Sequence, residues 1–444
     1  MSNLGQNVYM DIQPSNVVST GKVSYRAGNP VIQFIVGEND VHLFGSSVRF
    51  CGNIQFLQNA TRKIQVENSA SNLMCIDPKI GIYSIIDTLT ISSQVHKTTI
   101  ERINHYNRFM ATYMPLVSSE QEALTYLNAT ALQGANIMLQ RKEVINNTNG
   151  SSTATANVLN YAGSSFCVNL PCGLLSGRNP IPLSRGNGVG GLMIEIQLAP
   201  DNQVIFGDDE STADITESFY ELTDLKLIAE GQVVAPGTEV GNTLEYNSIH
   251  SYFNSVNSTN AVLNFQLGLS AVQSVFANFV PSSYINNYKH DGLATLPLLN
   301  LGDTVAPIKQ VVFTRGGVRY PLQYNLDTNV KDDPGNLNAD PQLIKNFVNA
   351  IKEWYSNEHL QMTTETTTRN IPAINPTLIG GVGSIFGVGT AFDMISGQGI
   401  NMNNVNFGLE MDVGLNTDNP NAVYLFAKNK STLVFTPNGV QVIN

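Results

Sequence analysis

Six histidines, four cysteines and thirty-five carboxylates are the groups in this chain able to ligate metals or move protons, and their spacing suits neither task. His42, His96, His105, His250, His290 and His359 show no paired metal-ligand spacing. Cys167-x-x-x-x-Cys172 has no second pair beside it, as a zinc site would need. Gly186-x-Gly188-x-Gly190-Gly191 has the composition of a phosphate-binding loop, but it leads into the apolar residues 192–198. A dinucleotide fingerprint must instead follow a strand and open a helix, so that backbone amides face the phosphates. Asp208-Asp209-Glu210 reads as a solvated loop, because three adjacent carboxylates need further ligands before they hold a divalent cation. Neither Ser nor Cys stands in a Gly-x-Ser-x-Gly elbow, and the carboxylates are scattered. The expectation is a protein that is not an enzyme, with no catalytic residue, cofactor or metal.

What the chain has instead is Arg315-Gly316-Gly317-Val318-Arg319-Tyr320-Pro321. Residues 308–314 are β-branched and apolar enough for a strand, and Gly316-Gly317 can take the positive φ angles of a tight hairpin. Pro321 keeps the returning strand from donating to a central ladder, which places the hairpin at an edge or a bulge. Arg315 and Arg319 flank the turn. They read either as ordinary surface arginines or as partners for carboxylates of another subunit, since Arg is enriched at interfaces.

The elements that position this hairpin are strands. Residues 405, 407, 409, 411, 413 and 415 are apolar with polar or glycine residues between them, the period of a half-buried strand. After it come a turn at 416–420, a strand at 422–427, a turn at 428–430, a strand at 432–435 and the Asn438-Gly439 hairpin. The first half ends alike: a strand at 191–198, a turn at Asp201-Asn202, a strand at 204–206 and another at 219–229, before a Gly- and Pro-containing connector at 231–241. Helices are few and look inserted. Thr98-x-x-Glu101 reads as a capping box opening a helix with Ile100, Ile103, Tyr106 and Met110 on one face, and Ser119-x-x-Glu122 opens a shorter one. Asp340-Pro341 opens a third over residues 340–355, whose apolar stripe suits a helix covering a sandwich. Residues 376–392, nearly free of charge and rich in glycine, read as a loop or a closely packed strand; they are short for a membrane helix.

Length and composition agree with a duplicated sandwich. At 444 residues the chain exceeds one ordinary core. Charged residues make up 13%, against about 25% in average globular proteins, and the net charge is −11. An acidic chain without a basic tail is poorly suited to gripping nucleic acid by counterion release, so no direct sequence-specific nucleic-acid binding is expected. The cysteines form no disulfide framework, the N-terminus carries no signal-like segment, and no apolar run is long enough for a membrane span. The expected organisation is all-β, two tandem jelly rolls: an N-terminal arm at 1–20, a first jelly roll at 21–230 and a second at 231–444 carrying the helical insertion.

Four ordered motifs carry a family resemblance. They are Phe166-Cys-Val-Asn-Leu-Pro171 through Gly173-Leu-Leu and Pro180-Ile-Pro-Leu-Ser184 into residues 191–198; Gly316-Gly-Val-Arg-Tyr-Pro321; Gly387-Val-Gly-Thr-Ala-Phe-Asp393; and Leu433-Val-Phe-Thr-Pro-Asn-Gly-Val-Gln-Val442. With them the chain resembles the double jelly-roll major capsid proteins of double-stranded DNA viruses, in particular those of polinton-like viruses and virophages. The resemblance spans most of residues 166–444, while the first 165 match in general character only. It implies two eight-stranded jelly rolls side by side, a homotrimer with pseudo-sixfold outline, and tiling with neighbouring capsomers, penton and minor capsid proteins into the icosahedral shell of a virion. It makes Arg315, Gly316, Gly317, Arg319, Tyr320 and Pro321 a family motif and a candidate subunit contact. The alternative is a carbohydrate-binding or other jelly-roll binding protein, which would want an aromatic- and acid-lined concave face. The single Trp, placed on the expected third helix, counts against that.

Overall fold

The structure is a computed structural model that describes residues 5–17, 21–28, 30–57, 76–77, 80–117, 126–132, 164–185, 188–206, 218–235, 241–258, 260–281, 284–288, 292–293, 308–319, 326–327, 349–350, 387–392, 398–413, 422–436 and 439–444. The expected helices at 340–355 and after Ser119, the loop at 208–210, and Tyr320 and Pro321 lie largely or wholly outside them.

The first half contains β1 (Asn7–Ile12), β2 (Val31–Val36), β3 (Val41–Leu43), β4 (Arg49–Leu57), β5 (Ile86–Ser93), β6 (Thr99–Asn104), β7 (Ser164–Asn169), β8 (Ile181–Pro182), β9 (Leu192–Leu198) and β10 (Phe219–Val233). The second contains β11 (Thr243–Ser255), β12 (Asn260–Gln266), β13 (Val272–Val280), β14 (Ile308–Arg315), β15 (Val318–Arg319), β16 (Leu326–Asp327), β17 (Gly387–Ala391), β18 (Asn406–Val413), β19 (Ala422–Thr436) and β20 (Gly439–Ile443). Among the described residues the helices include α1 (Tyr106–Val117), α2 (Tyr126–Ala131) and the single turn α3 (Asp201–Val204).

Pairing repeats. In the first half β1-β10-β4-β7 run side by side, and β2-β9-β5-β6 form a separate sheet. In the second half the orders are β11-β19-β13-β17 and β12-β18-β14-β15. With the short strands β3, β8, β16 and β20 set aside, both halves have the same connectivity: the first strand lies beside the last, and the second beside the one before last. This is the doubled Greek key of a jelly roll, present twice. Among the described residues no strand of one half pairs with a strand of the other.

Alternation builds each sandwich. Ile32, Phe34 and Val36 of β2 and Leu192, Ile194, Ile196 and Leu198 of β9 are buried and face the same core as Phe50 and Ile54 of β4. In the second half Leu263 and Phe265 of β12, Phe313 of β14 and Phe407 and Leu409 of β18 do the same, with Phe313 and Phe407 stacked 5.5 Å apart. The glycines of β17 permit close layering. A Cβ on Gly389 would sit 2.7 Å from Ala350 Cβ and 3.0 Å from Val275 O. Of the segment read as a loop or a closely packed strand, residues 387–391 are such a strand, and residues 376–386 lie outside the described residues.

Several local expectations are corrected. Residues 98–104 are strand β6 rather than a helix; α1 begins only at Tyr106, after His105 at φ 53°. A bulge explains the misreading. Ser92 pairs with Thr99 and Ile91 with Glu101, leaving Ile100 extra, so Ile100 and Ile103 fall three apart, as on a helix face. Residues 428–430 are not a turn, because β19 runs unbroken from Ala422 to Thr436. Asn429 is fully buried there, its Oδ1 accepting the Ala271 N–H (2.9 Å) where the β13 register shifts. Residues 201–204 form the turn α3 in place of a reversal, and β10 continues through Gly231 to Val233. Residues 7–12 pair along the end of β10 as β1, with Lys226 Nζ 3.0 Å from Asp11 Oδ2.

Candidate functional site: the seam between sandwiches and the edge hairpin

The hairpin is where the sequence placed it. Arg315 pairs with Val318 and Thr314 with Arg319, across Gly316 and Gly317 at φ 59° and 80°. Two successive positive φ angles define the two-residue turn that matches strand twist, and glycine takes them without strain. Strand β15 ends its sheet order, so the hairpin lies at an edge. Arg315 is directed back into its own chain, donating from Nη2 to Asn401 O (3.0 Å), and Gly316 N donates to Asn406 O (2.8 Å). Arg319 is exposed instead and lines a shallow groove of about 190 Å³ with Val262, Val312 and Glu410. The two arginines therefore separate into one that holds the hairpin and one that faces outward.

Sequence reading missed a second constellation, where the halves meet. Glu101 on β6 is 4% exposed, and its carboxylate accepts three backbone N–H groups: Gly173 (3.0 Å) and Ile249 (2.8 Å) on Oε1, and Leu174 (2.9 Å) on Oε2. Gly173 and Leu174 follow β7 of the first half, whereas Ile249 lies in β11 of the second. One carboxylate thus ties both sandwiches. Burial pushes its carboxyl up, and the three amides pull it back down by stabilising the charged form. Beside it Tyr246 of β11 donates its hydroxyl to Ile100 O (2.8 Å). The backbones nearly touch, since a Cβ on Gly173 would overlap Asn247 O.

Helix α1 wedges into the same seam, and every described side chain from Tyr106 to Met114 is buried. Burial on all sides marks a helix enclosed by protein rather than one lying on a surface. Toward the first half, Tyr106 donates to Pro171 O (3.0 Å) and Asn107 to Ser84 O (3.2 Å). Toward the second, Phe109 packs against Phe276 and Phe426, with ring centroids 6.1 and 5.6 Å apart. Asn278 Nδ2 donates to Thr112 Oγ1 (2.6 Å), and the Arg108 guanidinium lies 4.5 Å above the Tyr424 ring. A cavity of about 430 Å³ opens along the seam beside Phe109, Cys172, Tyr246 and Lys428.

A further bridge lies elsewhere. Arg26 Nε donates to Asp201 Oδ2 (2.9 Å), and its Nη2 reaches Tyr288 Oη (3.3 Å) in the second half. Tyr288 donates in turn to Ser218 O (2.9 Å). Burial raises the Asp201 carboxyl, while Arg26 and the Tyr220 N–H oppose it. The seam is therefore polar at its anchoring points and aromatic between them, a combination that fixes both distance and rotation.

Other chemistry-bearing residues stay apart. Cys172 is buried beside Glu101, whereas Cys167 faces Cys51 across β4 and β7. Among the described residues no group of three or more His, Cys, Asp or Glu is placed to hold a metal ion, and no helix is long and apolar enough to cross a membrane. Gly190 and Gly191, both at positive φ, turn the chain directly into β9, so this segment feeds a strand as its sequence context required.

No family model and no curated protein matches the chain. Solved structures do. A chain of the PBCV-1 virus capsid superposes with a TM-score of 0.53 at 12% identity, covering 99% of this chain and 97% of that one. A chain from the Sputnik virophage gives 0.57 at 12% identity, with 100% and 89% covered. The Faustovirus major capsid protein gives 0.56 at 9% identity, with 97% and 90% covered. At such identities the likeness is one of fold, and it extends over both sandwiches. Repeated strand order, full-length superposition and the tight seam together give this chain the double jelly-roll fold found in the capsid proteins of large DNA viruses and virophages.

Proposed function

We propose that the chain is a major capsid protein, a structural subunit of a virion shell rather than an enzyme. The carrying observation is the pair of sandwiches with one connectivity, locked by Glu101, α1 and the Arg26–Asp201–Tyr288 bridge. A capsid subunit of this design must present two similar lateral faces at a fixed spacing. A homotrimer then offers six similar barrels around its axis, so a threefold oligomer satisfies a hexagonal lattice. Such capsomers would meet one another, together with penton and minor capsid proteins, in an icosahedral shell around double-stranded DNA. The domain boundary belongs between Val233 and Thr243, where the strands change partners, and the hairpin, with Arg319 outermost, is the proposed subunit contact.

Light scattering on the purified protein tests this reading. The expected mass is three times 48.2 kDa, with hexagon-outlined particles in negative stain; a monodisperse 48.2 kDa species overturns it. Arg319→Glu is expected to shift that mass toward the monomer while leaving the far-UV circular dichroism of the folded chain unchanged, since Arg319 is exposed in the single chain and its replacement disturbs no core packing. An unchanged mass for the variant would remove the hairpin from the contact.

A further inference from the structure

Cys51 and Cys167 are directly opposite each other in the antiparallel pair β4–β7, 116 positions apart in sequence, with their Sγ atoms 2.7 Å apart. Facing residues in such a pair have Cα atoms about 4.5–5.5 Å apart, inside the roughly 4.4–6.8 Å that a disulfide spans. Both side chains alternate with core residues, Phe50 on one strand and Phe166 and Val168 on the other, so the pair lies on the outward face of the sheet. Cys51 is 6% exposed and Cys167 is half-buried. We propose that Cys51 and Cys167 form a cross-strand disulfide by thiol–disulfide exchange with a small-molecule disulfide of the glutathione class.

The step balances. The half-buried Cys167, as thiolate, attacks one sulfur of the small disulfide; the S–S bond breaks and one small thiolate leaves and takes up a proton. Cys51 then loses its proton and attacks Cys167 Sγ, expelling the second small thiol. Two protein thiols are oxidised, and one small disulfide is reduced to two thiols. Order follows from exposure: burial and the neighbouring Cys167 push the Cys51 thiol up to about 12, so Cys51 acts second, within reach of a sulfur already activated. The charges of Lys226 and Arg49 favour its thiolate at that moment.

The bond would act on the seam. Strand β7 ends its sheet order, with β4 beside it, and leads into Gly173 and Leu174, which Glu101 holds. Fixing β7 to β4 therefore shortens the free path to the inter-sandwich clamp. Resting on the capsid reading, the timing follows as well: a shell protein made in a reducing cell interior would carry the dithiol and close it after release. The chemistry itself does not depend on that reading.

The test uses the full chain, reduced, desalted and exposed to oxidised glutathione, followed by intact mass, peptide mapping without reduction, and thermal melting. The expected result is the loss of two hydrogens, a peptide linking Cys51 to Cys167, alkylatable Cys75 and Cys172, and a melting temperature higher by about 5 °C from closure of a long loop. Cys51→Ser and Cys167→Ser, each nearly isosteric, should abolish both the two-hydrogen loss and the thermal shift, with Cys51→Ser stopping at the glutathione adduct on Cys167. A persistent glutathione adduct on Cys167, a linkage to Cys75 or Cys172, or an unchanged mass would overturn the proposal. If the cross-link forms in a protein that light scattering finds monomeric, the redox inference stands and the assembly reading falls.

Discussion

Glu101→Ala is expected to lower the unfolding free energy by about 4 kcal/mol, among the larger effects of any single side chain here. The estimate follows from what is left behind. Three N–H groups, on Gly173, Leu174 and Ile249, lose their acceptor where the side chain is 4% exposed and water has little room to replace it. Each buried donor left unpaired costs about 1–3 kcal/mol, and relief from burying a charge offsets part of the sum. Glu101→Gln separates the two contributions. Glutamine has the same length but one acceptor atom, so its amide can serve Gly173 and Ile249 only by turning an NH₂ toward the Leu174 N–H. A loss of about 1–3 kcal/mol is expected for it. Urea denaturation of the wild type and both variants measures this, and the light-scattering mass of each shows whether a loosened seam also changes the proposed assembly. If Glu101→Ala unfolds within 1 kcal/mol of the wild type, the carboxylate is not what joins the sandwiches.

The clamp was invisible to sequence reading for a physical reason. Locally Glu101 reads as the last residue of a capping box, because the bulge at Ile100 imposes a three-residue apolar spacing on a strand. Its true partners lie 72, 73 and 148 positions away, and no local pattern encodes such distances. Cys51 and Cys167 are hidden likewise, since only the β4–β7 register makes them opposite. Where burial is one-sided and regular, the chain was readable: β9 and β18 alternate as expected, and Gly316-Gly317 turns as its composition required. Where a polar residue is buried, the reading failed. Lys428 and Asn429 look like a turn, yet β19 passes straight through them, because Asn429 satisfies a backbone N–H in a neighbouring bulge. Alternation thus reveals the two sandwiches, whereas the residues that fix one against the other are buried polar groups whose partners come from distant sequence.

Acidification from pH 7 to pH 4 is expected to destabilise the protein, with His250 contributing roughly 2–3 kcal/mol of the loss. Its ring nitrogen Nε2 lies 2.8 Å from Ser248 Oγ, itself bonded to Ser431, and burial lowers the imidazole from 6.5 to about 4. Between about pH 6.5 and 4 the unfolded chain carries a proton on this histidine that the folded protein does not, so stability falls as pH falls and is regained above 6.5. The gap corresponds to about 3 kcal/mol, trimmed toward 2 because the side chain is partly exposed. His42 and His105 act in the same direction, each lowered chiefly by burial, with Asp87 opposing the effect at His105. Glu101 and Asp201 act the other way. Their carboxyls are raised in the folded state, which therefore takes up protons first and gains stability as the pH drops. The observed slope is a difference between these groups, and His250→Gln isolates one of them. The variant keeps an acceptor for Ser248 but cannot titrate, so it should melt near the wild type at pH 7 and lose about 2 kcal/mol less on going to pH 4. Parallel curves for the two proteins across that range would mean that His250 protonates as easily folded as unfolded, and that the acid sensitivity of the fold arises elsewhere.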